Sequence, residues 1–287
     1  GVARMSVAVR ATDLCTADGH CFQVQQVLPE RPRARLLWLP ALGVAARHYL
    51  PLGQALAVRG IAVYLHEWRG NGSSSLRASR AVDWGYRELL QHDLPASQGA
   101  LQADDDAHGA LPWIIGGHSL GGQLACLHGA RNALPAQLWL VASGTPWWRS
   151  FVGIRGSVLP LAYRFLPWLA QRRGALPGRR LGFGGNEARG LISDWARVGL
   201  SNRYAARGLD EDLEQSLRDL EGDARAVVLQ DDWMAPPGSM GALLDKLPRL
   251  RRKIDVLTAQ QLGVAADHFA WMRAPDAVAD TLCRPFQ

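Results

Sequence analysis

Residues 115–124 read Ile-Gly-Gly-His-Ser-Leu-Gly-Gly-Gln-Leu, and this stretch decides the fold. Ser119 stands between pairs of glycines, although glycine weakens strands and helices because its unfolded chain has the most freedom to lose. An apolar run ends at Gly116 and a helical pattern begins at Leu120, so Gly117–Gly121 fits the pattern G-x-S-x-G between a strand and a helix. We therefore predict a sharp, strained turn with the Ser119 hydroxyl exposed at its tip.

Short apolar runs and helical patterns alternate on both sides of this stretch. Strands separated by helices of ten or more residues indicate a mainly parallel sheet that is covered on both faces. The predicted strands are residues 4–12 and 20–28, which form a hairpin, and then 35–40, 61–65, 111–116, 137–142, 226–230 and 253–258. The predicted helices of this part are residues 46–58, 82–102, 120–132, 238–247 and 275–283.

The alternation stops between residues 145 and 222, where no buried strand is evident. This segment has an apolar stretch at 158–170, a loop rich in Gly and Arg at 174–185, and helical patterns at 187–200 and 210–221. We therefore predict an α/β core formed by residues 1–144 and 223–287, with residues 145–222 inserted as a helical cap.

A serine hydroxyl becomes a nucleophile only when a base takes its proton, and a carboxylate must orient that base. Of the eight histidines, seven lie at or before position 128, so His268 is the one candidate base downstream of Ser119. It lies between the last predicted strand and the last helix. Asp231 and Asp232 follow the strand that ends at Gln230, and from position alone either one can be the acid.

Acyl transfer also develops an oxyanion, which two backbone N–H groups must stabilise. We expect one donor at Leu120, directly after the serine. The loop of residues 40–44 follows an earlier strand, and Leu42 is its candidate donor.

Four motifs together resemble the α/β-hydrolase superfamily, and within it the lid-bearing serine hydrolases of the serine aminopeptidase S33-like and monoacylglycerol lipase-like groups. They are Gly117–Gly121; residues 67–74, similar to D-x-R-G-x-G-x-S; Asp232 four residues before Pro236, as in D-x-x-x-P; and residues 267–269, similar to G-H-F. The resemblance covers essentially the whole chain. It implies an eight-stranded, mainly parallel sheet with a helical cap, and it favours Asp232 over Asp231.

Three features of the sequence depart from the pattern of these relatives. Glu67 replaces the usual Asp, and residues 39–43 read Leu-Pro-Ala-Leu-Gly where H-G-x-G is common. Asp267 stands where Gly often precedes the base, so its charge could compete with Asp232 for His268.

The resulting hypothesis is a serine hydrolase that acts on a small apolar ester, thioester or amide. Ser119 is the nucleophile, His268 the base and Asp232 its orienting acid, and no metal or organic cofactor is needed. An acyltransferase with the same three residues is the alternative, followed by a catalytically silent ligand-binding protein on this fold. The substrate wall is expected to include Trp147, Trp148 and Trp233. For Trp147, Trp148 and the other cap aromatics, the alternative is that they form the cap's own core.

Composition limits the remaining function classes. The net charge of +6 comes from 30 Arg and 2 Lys scattered along the chain, with no nucleic-acid motif, so we interpret it as compositional drift. The sequence contains no run of about 18 apolar residues, so stable membrane insertion is not expected. No signal sequence is evident, and the expected location is cytoplasmic. Cys15 and Cys21 flank a predicted turn, so they either face each other across the hairpin or remain two ordinary thiols, which is the interpretation that we prefer. The oligomeric state is not encoded in any motif.

Overall fold

A computed structural model describes residues 6–104, 109–134 and 136–286. Its main sheet has eight strands in the order β1-β2-β4-β3-β5-β6-β9-β10. The pairs β1–β2 and β2–β4 are antiparallel, and the others are parallel. The strands are β1 (Val7–Cys15), β2 (Cys21–Pro29), β3 (Ala34–Leu39), β4 (Ile61–Leu65), β5 (Trp113–His118), β6 (Ala136–Val141), β9 (Gly222–Leu229) and β10 (Leu250–Leu257).

Helices cover both faces of this sheet. They are α1 (Leu50–Ala57), α2 (Tyr86–Glu88), α3 (Leu94–Ala103), α4 (Leu120–Arg131), α9 (Pro237–Leu244), α10 (Ala259–Leu262) and α11 (Asp276–Cys283). A π-helical segment, Leu89–Asp93, joins α2 to α3, and a 3₁₀ turn, Ala46–Tyr49, precedes α1. The predicted eight-stranded, mainly parallel α/β fold is confirmed.

Strand β3 explains why the central strands read as continuous apolar runs. Leu37 and Leu39 belong to one buried cluster, and Leu36 and Trp38 belong to the other cluster on the opposite face. All four side chains are fully buried. Successive side chains of a strand alternate between the faces, so a sheet covered on both sides requires apolar residues at every position.

The segment between β6 and β9 adds no strand to the main sheet. It contains α5 (Gly153–Arg173), α6 (Gly178–Leu181), α7 (Arg189–Ser201) and α8 (Leu213–Asp219). The prediction that it holds no strand is wrong in one detail, because β7 (Ala175–Pro177) and β8 (Asn186–Ala188) pair with each other in a separate small sheet. Strands of three residues are too short to give a readable alternation.

The interpretation of Cys15 and Cys21 as two thiols is wrong. The two residues face each other at the end of the β1–β2 hairpin, with Cα atoms 4.1 Å apart, and they form a disulfide. Disulfides persist mainly in oxidising compartments, so this bond is an observation against the predicted cytoplasmic location. Residues 4 and 5 of the predicted first strand lie outside the described residues.

None of the helices in the described ranges is long and apolar enough to cross a membrane.

Candidate functional site

Ser119 lies at the turn between β5 and α4. Its φ of 56° and ψ of −121° are an uncommon conformation for a residue with a side chain. A Cβ added at Gly117 would lie 2.3 Å from the carbonyl carbon of Gly121, and one added at Gly121 would lie 2.0 Å from the carbonyl oxygen of Leu39. These approaches confirm that the glycines clear space for a strained turn.

His268 and Asp232 meet beyond the carboxyl ends of β9 and β10. Nδ1 of His268 lies 2.7 Å from Oδ2 of Asp232, and both side chains are buried. The other carboxylate oxygen of Asp232 accepts the N–H groups of Met234 and Ala235 at 2.9 and 3.2 Å. Asp232 is therefore held from both sides, and it fixes the orientation of the imidazole.

The neighbouring aspartates do not take this position. Asp231 is exposed. Asp267 is exposed as well, and its Oδ1 accepts the N–H groups of Phe269 and Ala270 at 3.0 and 2.8 Å. Asp267 thus caps the turn after His268, and Asp232 is the carboxylate that the structure brings to the imidazole.

The loop that contains Leu42 lies close to Leu120, the residue after Ser119. Neither Leu42 nor Leu120 uses its N–H in a hydrogen bond among the described residues. Both residues line one small cavity. Gly43 has a φ of 74°, and a Cβ there would lie 2.2 Å from the nitrogen of Gly185. The inserted segment therefore lies directly on the loop that contains Leu42.

A buried hydrogen-bonded chain links this loop to the turn of Ser119 and to His268. The Ala41 N–H donates to the hydroxyl oxygen of Tyr49 at 2.8 Å, and that hydroxyl lies 2.9 Å from Nδ1 of His118. Nε2 of His118 donates to the carbonyl oxygen of His268 at 2.8 Å, and Trp271 Nε1 donates to the same oxygen at 3.1 Å. This chain has no signature in the sequence, because its members are far apart along it.

The protonation state of His118 follows from these contacts. Burial holds the pKa of His118 well below its usual range, and the neighbouring His268 acts in the same direction. The neutral ring accepts the Tyr49 hydroxyl proton at Nδ1 and donates from Nε2. The imidazole rings of His118 and His268 have their centroids 4.9 Å apart. His118, which precedes Ser119, therefore supports the loop that contains His268, the predicted base.

An apolar cavity of about 310 Å³ opens above Ser119. The inserted segment contributes one wall through side chains such as Leu159, Leu166, Phe183 and Trp195. Trp233 and Met234, from the loop after β9, contribute another part, and Gln123, Thr145 and Ser239 are among its polar lining groups. Such a site is suited to a small apolar molecule that a few polar groups orient.

Two predicted wall residues are placed elsewhere. Trp147 and Trp148 do not line this cavity in the described structure, because the chain turns away into the 3₁₀ segment Trp148–Ser150. The N–H of Trp147 donates to Oγ1 of Thr145 at 2.9 Å, and the ring of Trp148 lies 4.9 Å from the Arg149 guanidinium. The prediction that they form the substrate wall is therefore not supported, whereas Trp233 is at the cavity.

A Ser–His–Asp arrangement other than the predicted one lies outside the lining of the cavity, within the motif of residues 67–74 and its neighbours. His20 lies 2.8 Å from the Ser74 hydroxyl and 3.0 Å from Oδ1 of Asp93, and all three side chains are buried. Arg69 donates to both Asp93 oxygens at 2.7 and 2.9 Å. The Ser74 oxygen also accepts the Gly70 N–H. These bonds tie the N-terminal hairpin to the core, and they leave the Ser74 hydroxyl no approach to a substrate.

No group of three or more His, Cys, Asp or Glu side chains in the described ranges is arranged to hold a metal ion.

The eight-stranded sheet and the strand–turn–helix of Ser119 define the class of protein, which is the α/β-hydrolase class of hydrolytic enzymes. The model of the family described as serine aminopeptidase, S33, matches residues 30–197, more than half of the chain. The chain belongs to this family.

Solved structures similar to this chain share its fold. A thermophilic esterase from Thermogutta terrifontis has a TM-score of 0.59 at 16% identity, covering 95% of this chain and 96% of its own. A structure from a study of carboxylesterases of Nitrososphaera gargenis has a TM-score of 0.60 at 15% identity, with 94% and 96% covered. A thioesterase domain from the curacin biosynthetic pathway has a TM-score of 0.57 at 14% identity, with 96% and 100% covered. No protein of curated function matches the sequence significantly.

Proposed function

We propose that the protein is a serine hydrolase that cleaves a carboxylic ester, thioester or small amide with an apolar acyl group. The observation that carries this proposal is the 2.7 Å contact between His268 and Asp232. This contact lies at the carboxyl ends of the parallel strands, where the strained Ser119 also lines an apolar cavity. The names of the similar esterase and thioesterase structures agree with this substrate class.

In the proposed reaction, His268 takes the proton of the Ser119 hydroxyl as the oxygen attacks the acyl carbonyl. Asp232 keeps Nδ1 of His268 protonated, so that Nε2 is the basic nitrogen. The Leu42 and Leu120 N–H groups stabilise the oxyanion of the tetrahedral intermediate. His268 then returns the proton to the leaving group, and a water molecule, activated in the same way, hydrolyses the acyl-serine.

The structure has no hydrogen bond between the Ser119 hydroxyl and His268 among the described residues. In serine hydrolases this contact is often long without substrate and tightens in the complex. The proposal therefore requires the Ser119 hydroxyl to reach Nε2 when an acyl group enters the cavity.

We further propose that residues 145–222 act as a cap on the core formed by residues 1–144 and 223–287. Side chains of this segment supply a wall of the cavity, and Gly184 and Gly185 pack on the loop of Leu42. A cytoplasmic location stays a prediction from the sequence, and the Cys15–Cys21 disulfide counts against it.

A fluorophosphonate probe, which phosphonylates activated serines, tests the nucleophile. We expect the wild type to be labelled and Ser119→Ala to lose at least about 99% of the labelling rate, since removing a nucleophile costs several orders of magnitude. Ser74→Ala is the matched control, because it removes the hydroxyl of the other Ser–His–Asp arrangement.

Circular dichroism establishes that both variants are folded. Labelling of Ser119→Ala at the wild-type rate, or its loss in a folded Ser74→Ala variant alone, would overturn the proposed nucleophile.

A further inference from the structure

Helix α5 carries a row of large apolar side chains that points away from the protein. Ile154, Val158, Leu161, Phe165 and Trp168 follow the spacing of a single helix face. Together with Val152, just before the helix, they are between 50% and 90% exposed. We name these six residues the lid stripe. Large apolar patches of this kind mark interaction sites on proteins that are otherwise covered by polar groups.

A second face of the same helix is apolar as well. Leu159, Ala162, Tyr163 and Leu166 line the cavity above Ser119. Packing against the cavity and the core therefore explains only one face of α5. The lid stripe has no contact in the fold that accounts for its composition.

The stretch of sequence that carries the lid stripe has charges of a single sign. Residues 145–186 contain seven arginines and no Asp or Glu. None of the seven guanidinium groups forms a salt bridge with a carboxylate of the described residues. They are Arg149, Arg155, Arg164, Arg172, Arg173, Arg179 and Arg180, and all are exposed.

Several of these arginines stack on exposed or half-buried tryptophans. The Arg172 guanidinium lies 5.7 Å from the ring centroid of Trp168, and that of Arg155 lies 4.7 Å from the ring of Trp233. Arg and Trp both place an apolar body beside a polar group, which suits the boundary between lipid tails and headgroups.

We propose that the lid stripe and its arginines form a peripheral docking surface for an anionic lipid bilayer. The apolar row enters the boundary between headgroups and acyl chains, while the guanidinium groups bind lipid phosphates. Docking would bring the cavity above Ser119 next to the membrane, with α5 between them. No spanning segment is involved.

Charge distinguishes this occupant from two others. A second copy of the chain would bring seven more arginines to the same region, and their repulsion opposes a symmetric dimer. An acidic protein would pair with the arginines, but charged residues are depleted at the core of protein interfaces, where the six apolar side chains would lie. A bilayer with anionic headgroups satisfies both.

Sedimentation with vesicles tests the proposal, using Ser119→Ala protein so that hydrolysis of lipid cannot alter the vesicles. We expect strong binding to vesicles of phosphatidylcholine and phosphatidylglycerol in equal parts, and weak binding to phosphatidylcholine alone. Raising the salt to about 0.5 M should weaken the anionic binding, because the Debye length then falls well below 10 Å.

Two double variants separate the contributions of charge and apolar area. Arg164→Gln with Arg172→Gln should weaken binding to the anionic vesicles by roughly fivefold for each arginine. Phe165→Ser with Trp168→Ser should weaken it about tenfold or more. The matched control is Arg31→Gln with Val256→Ser, which changes an exposed arginine and an exposed apolar residue outside the inserted segment.

Equal binding to both vesicle types would overturn the proposal, as would equal effects of the control and the two variants. A concentration-dependent dimer that the lid-stripe variants abolish, without vesicle binding, would assign the surface to a second copy instead. Because binding is measured on a variant without the proposed nucleophile, the result is independent of the proposed function.

Discussion

At the scale of single residues, Tyr49 connects the loop of Leu42 to His118, the residue before Ser119. Its hydroxyl accepts the Ala41 N–H and donates to His118, and both contacts are buried. Tyr49→Phe leaves two polar groups unpaired in the interior, at a cost of about 1–3 kcal/mol for each group. The loop of Leu42 and the backbone of His268 then lose their common support.

We expect Tyr49→Phe to lower kcat on an activated ester roughly tenfold while KM changes little, because the lost support orients groups that act in the transition state. Tyr64→Phe is the control, since Tyr64 is also buried and its hydroxyl donates to Asp104 at 2.6 Å, away from the site. Thermal unfolding should show a loss of stability in both variants. A Tyr49→Phe enzyme with wild-type kcat would contradict the positioning role.

Sequence pattern and chain order determine which residues of the candidate site could be predicted. Ser119 and His268 could be found because a strand–glycine–helix pattern locates one and chain order leaves a single histidine for the other. The choice of Asp232 over Asp231 depended on the resemblance; in the structure Oδ2 of Asp232 lies 2.7 Å from Nδ1 of His268. Tyr49 and His118 could not be paired, since 69 positions separate them and no periodicity links them.

At the scale of secondary-structure elements, the loop after β3 packs closely against the loop before β8. Gly43 has a positive φ of 74°, and its α-carbon faces the backbone of Gly184 and Gly185. Gly19, in the β1–β2 turn, has a similar φ of 89° but nothing within 4 Å of the space that a Cβ would fill. Comparing substitutions at Gly19 and Gly43 therefore separates the cost of backbone strain from the effect of the contact between the loops.

We expect Gly43→Ala and Gly19→Ala to share a strain cost of about 1–2 kcal/mol, since an L-residue is disfavoured at positive φ. Gly43→Ala must also move backbone apart, because its Cβ would lie 2.2 Å from a nitrogen atom. Its kcat/KM on an activated ester should fall at least about tenfold, whereas Gly19→Ala should keep wild-type activity. Equal activity of the two variants would mean that the loops shift apart without disturbing the proposed oxyanion site.

The elements differ in how well the sequence predicted them. The central strands could be predicted because both faces of the sheet are buried, which gives continuous apolar runs. Helix α5 was recognised only as an apolar stretch, since it is apolar on two faces and contains Pro160 and Pro167. Its arginines looked scattered along the chain; in the structure all of them are exposed.

At the scale of the whole molecule, Glu187 couples the inserted segment to the stability of the fold. It lies in β8 and is buried, and its Oε1 accepts the Gly185 N–H at 2.8 Å. Burial raises the pKa of Glu187 from 4.5 to about 7, although the Gly185 bond and the charge of Arg179 act in the opposite direction. The folded protein therefore holds this proton more tightly than the unfolded chain does.

The sign of the pH dependence follows from that difference. Below about pH 4.5 the carboxyl is protonated in both states, and its full contribution to stability is present. As the pH rises through 4.5 towards 7, the unfolded chain loses the proton first, so the folded state is progressively destabilised. The total loss is about 3 kcal/mol and is complete near pH 8.

Glu187→Gln keeps an oxygen that can accept the Gly185 N–H but cannot ionise. The free energy of unfolding of this variant, measured with urea, should rise relative to wild type by about 3 kcal/mol between pH 4.5 and 8. Glu221→Gln, at an exposed carboxyl, is the control and should show a nearly constant difference from wild type. A constant difference for Glu187→Gln would mean that water reaches Glu187 in the folded protein. Two separate unfolding transitions would mean that the inserted segment detaches before the core unfolds, and the dependence on pH should then appear in the first transition alone.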